Sequence, residues 1–349
     1  MRVLIDIVHP GHVHFYRHLV RELAERGHAV TIAARDKDVT CPLLDSFGMQ
    51  YARQGRGGVK GRLAMGAELV RRVAALRRIG FEFRADVVLT RNPAGVQAAR
   101  LLRVPGVFDT DDGAAAGVHW KGAVPFARYI TMPDCVLDDH RNRRVPYPSY
   151  KAMAYLHPKR FTPDPGVRNE LGVAPDERYF IVRFVAMAAS HDRHEKGMPL
   201  DVKGEVIARL SKRGKVFVTS EGGFEAPPGA TRFPLPPQRI HDAMAFASLL
   251  VGDSQSMAAE SAILGVPSVR LSSWAGRIPY LVEIEERYGL TFEFGLDRPA
   301  EFLQKVEDLS GTDERPFWAE RREHLLSEKC DLTSWYLDFV LGLPERTSR

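Results

Sequence analysis

The stretch Ser248–Leu271, SLLVGDSQSMAAESAILGVPSVRL, decides the fold of this chain. It begins with a short apolar run, LLV, that is long enough for one buried strand, and continues into the small polar turn GDSQS. An alanine-rich helical segment then runs to Gly265, and a second strand-like segment, SVRL, follows Pro267. Strand, turn, helix, glycine stop and strand in this order predict a βαβ unit of a parallel sheet.

The turn inside this unit is a predicted anion-binding site. In an open parallel sheet, ligands bind at the loops that follow the carboxyl ends of the strands. The start of a helix offers unpaired N–H groups and the positive end of the helix dipole, which suit a diphosphate. We therefore expect Ser254, Gln255 and Ser256 to contact a diphosphate, and Glu260, about one turn further on, to accept hydrogen bonds from sugar hydroxyls. The alternative is an ordinary βαβ unit in which Asp253 and Ser254 only cap the helix.

Length and composition limit the classes of protein to consider. A chain of 349 residues has room for two α/β domains, and 44% hydrophobic with 27% charged residues is typical of a globular protein. No stretch approaches the roughly 20 apolar residues that span a bilayer. Asp6 interrupts the apolar run near the N-terminus, so we expect no signal peptide. Three widely spaced cysteines predict neither disulfides nor a cysteine-rich zinc site. A cytoplasmic protein is the expectation.

One basic segment leaves membrane association open. Nine lysines and arginines lie within residues 53–84, against two glutamates, and residues 62–84 read as a helix. Such a helix can dock on anionic lipid at a membrane surface. The alternative is a helix that packs one face on a sheet and holds its arginines in solvent. Nucleic acid is not an expected partner, because no basic stripe with interleaved aromatic residues is present.

The remainder of the chain alternates strands with helices in two sets. Helices are expected at 15–26 and 94–102 in the first set, whereas the end of the chain, 318–343, reads as one helical region. The predicted strands lie at 2–8, 29–33, 86–90, 106–108 and 129–132 in the first set, and at 179–185, 215–219 and 231–235 in the second. Five prolines between residues 146 and 165 indicate an interdomain connection. We therefore expect domains at 1–158 and 159–330, each α/β and doubly wound, followed by a C-terminal segment at 331–349.

Candidate catalytic residues follow two strands of the first domain. Gly11 and His12 lie in a predicted turn at 9–14, where the imidazole could be a general base or contact phosphates; the alternative is a structural loop histidine. Asp111 and Asp112 lie in an acidic turn, where crowded carboxylates help to keep one of them basic. An Asp-x-Asp sequence can also bind a metal, or the turn can cap a helix. We predict no metal and no cofactor.

Three positions of the second domain complete the predicted binding set. Arg183 interrupts the apolar segment IVRFV and therefore needs a buried partner, either a diphosphate or a structural carboxylate. Gly222 follows the next predicted strand and could line the same binding site. Ile240 begins the helix that precedes the Ser248–Leu271 unit.

The Ser248–Leu271 unit resembles the donor-site signature of two-domain nucleotide-sugar enzymes of the GT-B type. UDP-GlcNAc 2-epimerases have an Asp-Ser-Gly-Gly turn, a helical glutamate and Gly-x-Pro, and the lipid-linked GlcNAc transferase of peptidoglycan synthesis has a similar arrangement. Here Glu260, Gly265 and Pro267 keep that spacing, while Gln255 and Ser256 replace the glycine pair. In addition, IDIVHPGHVHFYRHLVRELAERGHAVTIAARD and KAMAYLHPKRFTPDPGVRNELGV resemble the family called domain of unknown function 354.

The resemblance implies a fold and a function. The fold is GT-B-like, with two Rossmann-like doubly wound domains that face each other across a cleft and a final helix that returns to the first domain. The implied activity is a metal-independent glycosyltransferase that takes a nucleotide-sugar donor, expected to be a UDP-sugar, and an unknown acceptor in polysaccharide or glycoconjugate synthesis. By the same resemblance, Gly11 and His12 match a Gly-Gly-His loop, and backbone groups at Ile240 contact the base. The alternatives are a UDP-sugar 2-epimerase or hydrolase, and a non-catalytic nucleotide-sugar-binding protein.

Overall fold

A computed structural model describes residues 1–56, 61–137, 142–184, 197–220, 226–312 and 314–344. The chain forms two compact units. Unit 1 comprises Met1–Tyr155 and Cys330–Arg349, and unit 2 comprises Leu156–Lys329. Each unit is built on its own parallel sheet, which agrees with the predicted pair of Rossmann-like domains.

The sheet of unit 1 has seven strands. In chain order they are β1 (Arg2–Ile7), β2 (Ala29–Asp36), β3 (Ala52–Arg56), β4 (Val87–Thr90), β5 (Gly106–Asp109), β6 (Tyr129–Pro133) and β7 (Arg144–Tyr147). They pair in parallel in the order β3-β2-β1-β4-β5-β6-β7. The accompanying helices are α1 (Pro10–Glu25), α2 (Thr40–Ser46), α3 (Arg62–Phe83), α4 (Pro93–Leu102), α5 (Val118–Ala123) and α6 (Met153–Leu156), with a 3-10 turn at Gly113–Ala116.

The sheet of unit 2 has six strands. They are β8 (Tyr179–Phe184), β9 (Lys215–Ser220), β10 (Thr231–Arg232), β11 (Leu249–Gly252), β12 (Ser268–Leu271) and β13 (Thr291–Phe294), parallel in the order β10-β9-β8-β11-β12-β13. The helices are α7 (Val167–Glu170), α8 (Leu200–Leu210), α9 (Ile240–Ala245), α10 (Gln255–Ile263), α11 (Pro279–Glu283), α12 (Pro299–Gly311) and α13 (Arg315–Glu328). Short 3-10 and π-helical turns lie at Pro237–Arg239 and Ile284–Tyr288. The last helix, α14 (Leu332–Leu341), belongs to unit 1.

The cores explain why the strands are apolar throughout rather than alternating. A parallel sheet carries helices on both faces, so both sets of side chains on a strand are buried. Every residue of β4 and β11 is buried, for example. In unit 2, Val182, Val251 and Val269 share one face of the sheet with side chains from α8 and α12. The residues that alternate with them therefore face the opposite side, where α10 lies.

Several element boundaries differ from those expected from the sequence. The helix expected to begin at Phe15 begins at Pro10, because His9 caps it by accepting a hydrogen bond from the Gly11 N–H to Nδ1 at 3.1 Å. The predicted turn at 9–14 is therefore the first turn of α1. The single helical region expected at 318–343 is two helices, α13 and α14, and Asp331 caps the second by accepting from the Thr333 N–H.

Three strands, β3, β7 and β13, were not expected from the sequence. Each has only four or five residues, and β7 contains Pro146. A proline is tolerated there because β7 lies at the edge of its sheet, where one side of the strand has no partner. Conversely, the strand expected at residues 231–235 is shorter in the structure, where β10 has only two residues.

Helix α14 is tied into unit 1 by specific contacts. The Thr333 hydroxyl donates to the Ala154 carbonyl at 2.7 Å, and the Ser149 hydroxyl donates to the Cys330 carbonyl at 2.7 Å. The ring of Tyr336 meets the ring of Phe15 of α1 edge-on at 5.4 Å. Among the described helices, none is long and apolar enough to cross a membrane.

Candidate functional site

Each sheet reverses its strand order once, and the candidate residues gather at these two places. The reversal lies between β1 and β4 in unit 1, and between β8 and β11 in unit 2. In open α/β sheets, ligands bind outside the carboxyl ends of the strands at such a switch point. His12, Arg91 and Asp111 follow β1, β4 and β5, whereas Arg183 and Ser254 lie at the ends of β8 and β11.

The unit 1 site is centred on a buried ionic cluster. Arg91 follows β4 and pairs with both Asp109, at the end of β5, and Asp111. The Nζ of Lys151 lies 3.0 Å from Oδ2 of Asp111. Burial by itself would raise the pKa of Asp111, but Arg91 and Lys151 hold it well below its usual value. Asp111 therefore remains ionised and bound by two cations, so it is poorly suited to accept a proton.

Asp112 differs from Asp111 in its contacts and in the direction of its pKa shift. Its side chain is half-buried, and no hydrogen bond or ion pair to it occurs among the residues that the structure describes. Burial, together with the negative charge of Asp111, raises the pKa of Asp112 from 3.8 to about 6. A carboxyl group with such a pKa exchanges protons near neutral pH, which is the property required of a general acid or base.

His12 lies in the first turn of α1 and is also buried in part. Burial, followed by the positive charges of Arg91 and nearby cations, lowers the pKa of His12 well below its ordinary value. Its Nδ1 atom is buried and has no hydrogen-bond partner in the described part of the chain. A neutral imidazole can donate one hydrogen bond and accept another, but its lowered pKa makes it a weak base. Gly11 is helical, and a methyl group at this position would approach only Nδ1 of His9, at 3.4 Å, so the fold does not require a glycine there.

A second buried pair in unit 1 was not identified from the sequence. Arg72 of α3 is 6% exposed and places Nη2 at 2.9 Å from Oδ1 of Asp6 on β1. Its Nη1 donates to Oδ1 of Asn92 at 2.9 Å, and Thr90 donates to Asp6 at 2.9 Å. Arg72 of the basic helix is therefore buried in the interior of unit 1. Asp6, an acid inside an apolar strand, was the available signal.

In unit 2, the strand register places two arginines on either side of a glycine. Gly252 of β11 pairs with Arg183 of β8 and with Arg270 of β12, and Arg270 pairs in turn with Glu293 of β13. All of them lie on the sheet face that carries α10, because their strand neighbours belong to the core on the other face. A Cβ atom at Gly252 would lie 2.1 Å from the carbonyl oxygen of Arg183, so only glycine fits there.

The start of α10 adjoins this row. Ser254 is its N-cap and accepts a hydrogen bond from the Met257 N–H at 3.4 Å, while Gln255 and Ser256 are half-buried in the first turn. A cavity of about 10 Å³, enough for one water molecule, is lined by Arg183, Gly252, Ser254 and Arg270 among others. The capping role of Ser254 is thus present, and it leaves the hydroxyl hydrogen available to a ligand.

Arg270 is the residue of this site that the sequence analysis missed. It is 1% exposed and donates from Nε to Oε1 of Glu293 at 3.2 Å. Its Nη1 atom is buried and has no hydrogen-bond partner among the described residues. The signal was the same as for Arg183, a single charge in an apolar strand segment.

Glu260 and its surroundings lie one turn into α10. Glu260 is 8% exposed, and Oε1 lies 3.4 Å from Nε2 of the buried His241, which follows Ile240 at the start of α9. Asp253 does not cap the helix; its Oδ2 accepts from the Met198 N–H at 3.4 Å. Gly222 lies outside the described residues.

The structure thus brings the predicted residues together in two sets, each within one unit. Gly11, His12, Asp111 and Asp112 belong to the unit 1 site, whereas Arg183, Ser254, Gln255, Ser256 and Glu260 belong to the unit 2 site. Ile240 begins α9, and the residue after it, His241, contacts Glu260.

Comparisons with known proteins agree with this architecture. Residues 1–145 match the family model described as "Protein of unknown function (DUF354)". No curated protein matches the chain in sequence.

Solved structures match almost the whole chain. The UDP-GlcNAc 2-epimerase from Methanocaldococcus jannaschii is 14% identical with a TM-score of 0.66, and the match covers 98% of this chain and 99% of that one. S. aureus MnaA, in a co-structure with UDP, is 12% identical with a TM-score of 0.69 and full coverage of both chains. The glycosyltransferase VinC, in complex with dTDP, is 13% identical with a TM-score of 0.62, covering 97% and 99%. The chain therefore resembles DUF354 over residues 1–145 and has the fold of GT-B glycosyltransferases and UDP-GlcNAc 2-epimerases, as predicted from its sequence.

Proposed function

We propose that this protein is a GT-B-type glycosyltransferase whose donor is a nucleotide-diphosphate sugar, with a UDP-sugar as the expected donor. The acceptor belongs to polysaccharide or glycoconjugate synthesis. The observation that carries the proposal is the row of Arg183, Gly252 and Arg270 beside the start of α10. Unit 2 binds the donor, and unit 1 supplies the group that takes the acceptor proton. The proposed setting is the cytoplasm.

The unit 2 site has the chemistry that a diphosphate requires. Gly252 lets the backbones of β8 and β11 approach closely, and the two flanking arginines supply positive charge. The N-terminus of α10 adds backbone N–H groups, and Ser254 adds a hydroxyl. Together they stabilise the negative charge that develops on the leaving nucleotide diphosphate without requiring a metal ion. We assign Glu260 to the ribose hydroxyls.

For the proton transfer we propose Asp112 rather than Asp111 or His12. Asp111 is bound by Arg91 and Lys151, and the lowered pKa of His12 makes its imidazole a weak base. The pKa of about 6 lets Asp112 be ionised at pH 7 and still accept a proton readily.

Calorimetry with UDP tests the donor site. We expect Arg183→Ala and Glu260→Ala each to weaken UDP binding several-fold or more, because each removes a group in contact with the nucleotide. Arg298→Ala is the matched control, since Arg298 is a surface arginine of unit 2 that pairs only with Glu301 among the described acids. Unchanged UDP affinity in both site variants would refute the assignment, and absence of UDP binding by the native protein would refute the proposal.

The second candidate is an epimerase or hydrolase that acts on the nucleotide-sugar alone. The likeness to the M. jannaschii epimerase favours it, as does the Asp253-Ser254 turn. Incubation of the purified protein with UDP-GlcNAc and no acceptor separates the two candidates. Epimerised sugar or free UDP in that experiment would contradict the transferase. If UDP-sugars bind but the protein does not convert them with or without an acceptor, the remaining interpretation is a non-catalytic nucleotide-sugar-binding protein.

We also propose that α3 contacts anionic lipid at a membrane surface. Val70 and Phe81 of this helix are 68% and 73% exposed, and Arg71, Arg77 and Arg78 are exposed as well. Exposed apolar side chains among arginines are the features by which a helix binds an anionic lipid surface.

Sedimentation with vesicles containing phosphatidylserine tests this contact. We expect Phe81→Ser to reduce the fraction of protein bound. Leu200→Ser is the control, because Leu200 is 75% exposed on α8 of unit 2, a helix whose two basic residues, Lys203 and Arg209, are balanced by Asp201 and Glu205. Equal losses in the two variants, or no vesicle binding by the native protein, would contradict the proposal.

A further inference from the structure

Asp109 is a buried carboxylate of the unit 1 ionic cluster, and residues from three different parts of the chain contact it. It is 1% exposed. Arg91, which follows β4, pairs with its Oδ1 atom. Its Oδ2 atom accepts from the Thr131 hydroxyl of β6 at 3.0 Å and from the Tyr336 hydroxyl of α14 at 3.2 Å. The hydroxyl oxygens of Thr131 and Tyr336 also lie in contact with each other.

The contact from Tyr336 is set by the return of the chain to unit 1. Tyr336 lies 227 residues from Asp109 in sequence. Its ring packs against Phe15 at 5.4 Å, and α14 is anchored at its start by Asp331 and Thr333. Tyr336 is 2% exposed, so its hydroxyl has little freedom to point elsewhere.

We propose that Tyr336 is a positioning residue for the proton transfer at Asp112. Tyr336 and Thr131 occupy one oxygen of Asp109, which leaves the other oxygen to Arg91. Arg91 is thereby shared between Asp109 and Asp111, and the charge of Asp111 acts directly on its neighbour Asp112. The proposal rests on the function proposed above for Asp112. The contacts that link Tyr336, Asp109, Arg91 and Asp111 do not depend on that function.

The direction of the effect follows from the charges. Without the Tyr336 hydroxyl, the buried carboxylate of Asp109 loses a donor and draws Arg91 more strongly towards itself. Arg91 then neutralises Asp111 less and lies further from Asp112. The charged groups that face Asp112 are Asp111, Lys151 and Arg91, and only Lys151 is unaffected. Both changes favour the protonated form of Asp112, so its pKa rises.

The test is a carboxyl ¹³C NMR titration of the full chain without substrate. The Asp112 resonance is assigned by its disappearance in Asp112→Asn. We expect Tyr336→Phe to raise the Asp112 midpoint by about half a pH unit or more. Tyr147→Phe is the matched control, because Tyr147 is 0% exposed and its hydroxyl has no hydrogen-bond partner in the described part of the chain.

The outcomes separate positioning from general damage to the core. No shift in Tyr336→Phe, or an equal shift in Tyr147→Phe, would overturn the proposal. Thr131→Val removes the other hydroxyl donor to Oδ2 of Asp109 and should shift the midpoint in the same direction, which keeps the test usable if Tyr336→Phe folds poorly. In an activity assay, the acidic limb of the pH profile should move upward by the same amount. If the NMR midpoint of Asp112 shifts but the acidic limb of the activity profile does not, Asp112 is not the group that takes the proton in the reaction. The contacts from Tyr336 through Asp109 and Arg91 to Asp111 would still be supported.

Discussion

Replacement of Asp112 by asparagine should stabilise the protein at neutral pH and remove one component of its pH dependence. The folded-state pKa of Asp112 is raised from 3.8 to about 6, so between pH 4 and 6 the folded state binds more protons than the unfolded state. The free energy of unfolding therefore falls as the pH rises through this window. A shift of about two units corresponds to about 3 kcal/mol, which is lost above pH 6. Asparagine carries no charge at any pH and avoids this loss.

The assay is urea denaturation of the native protein and Asp112→Asn at intervals from pH 4 to 7.5. Tryptophan fluorescence reports both units, since Trp120 and Trp335 lie in unit 1 and Trp274 and Trp318 in unit 2. We expect the two proteins to be similarly stable at pH 4 and to diverge up to pH 6, with the variant more stable by up to about 3 kcal/mol. Parallel curves over this range, or a less stable variant at pH 7.5, would show that Asp112 is an ordinary paired carboxylate.

The neighbouring residue supplies a comparison of opposite sign. The pKa of Asp111 lies well below its usual value, since Arg91 and Lys151 outweigh the effect of burial. Its contribution to stability is present above pH 4 and is lost as the pH falls through the folded-state pKa. Asp111→Asn should therefore be less stable than the native protein at pH 7.5, because it removes the negative charge that pairs with Arg91 and Lys151. A stabilised Asp111→Asn would contradict the assignment of roles to the two carboxylates.

Three further predictions concern other parts of the structure. Gly252→Ala should lower the melting temperature and abolish UDP binding, because the new methyl group would lie 2.1 Å from the Arg183 carbonyl oxygen. A variant with the melting temperature and UDP affinity of the native protein would contradict the pairing of Gly252 with Arg183 between β11 and β8. Arg72→Leu should cost roughly 3–5 kcal/mol in urea denaturation by leaving the buried Asp6 without its cationic partner, and a cost near zero would contradict the importance of this pair. Glu328 has a pKa lowered to about 2 by hydrogen bonds from a guanidinium and a phenol, so Glu328→Gln should be less stable than the native protein at pH 7 but equal to it near pH 2, as thermal unfolding at the two pH values would show.

The predictions that succeeded from sequence depend on local patterns. The unit at Ser248–Leu271 folds as predicted, with β11, α10 and β12. The spacing of its apolar residues, its small polar turn and the glycine that ends its helix are signals that each depend on only a few neighbouring residues. The same holds for β1, β4 and β8, whose apolar runs match buried parallel strands. Positions at the carboxyl ends of these strands then follow from topology, which is why His12, Asp111 and Arg183 could be named as candidates.

The failures have a common physical cause in that the deciding partner lies far away in sequence. Arg72 looked like part of a surface basic helix, and its burial depends on Asp6, 66 residues away. The sequence alone does not distinguish the two aspartates at 111 and 112. Only the approach of Lys151 and Arg91 makes Asp111 a paired anion with a lowered pKa, while burial and the charge of Asp111 raise the pKa of Asp112. Short edge strands such as β7 escape prediction because pairing with a neighbour, rather than their own composition, makes them strands.

The amino-acid sequence by itself determined the two α/β halves, the position of the helix start for which we propose diphosphate binding, and the class of enzymes that the chain resembles, because these features depend on residue order over short distances. Only the tertiary structure decided that Arg270 joins Arg183 around Gly252, that the pKa of Asp112 is raised while that of Asp111 is lowered, and that Tyr336 of the last helix contacts Asp109. Strand register and the packing of distant elements set the distances between charges, and those distances control the protonation states on which the proposed chemistry depends.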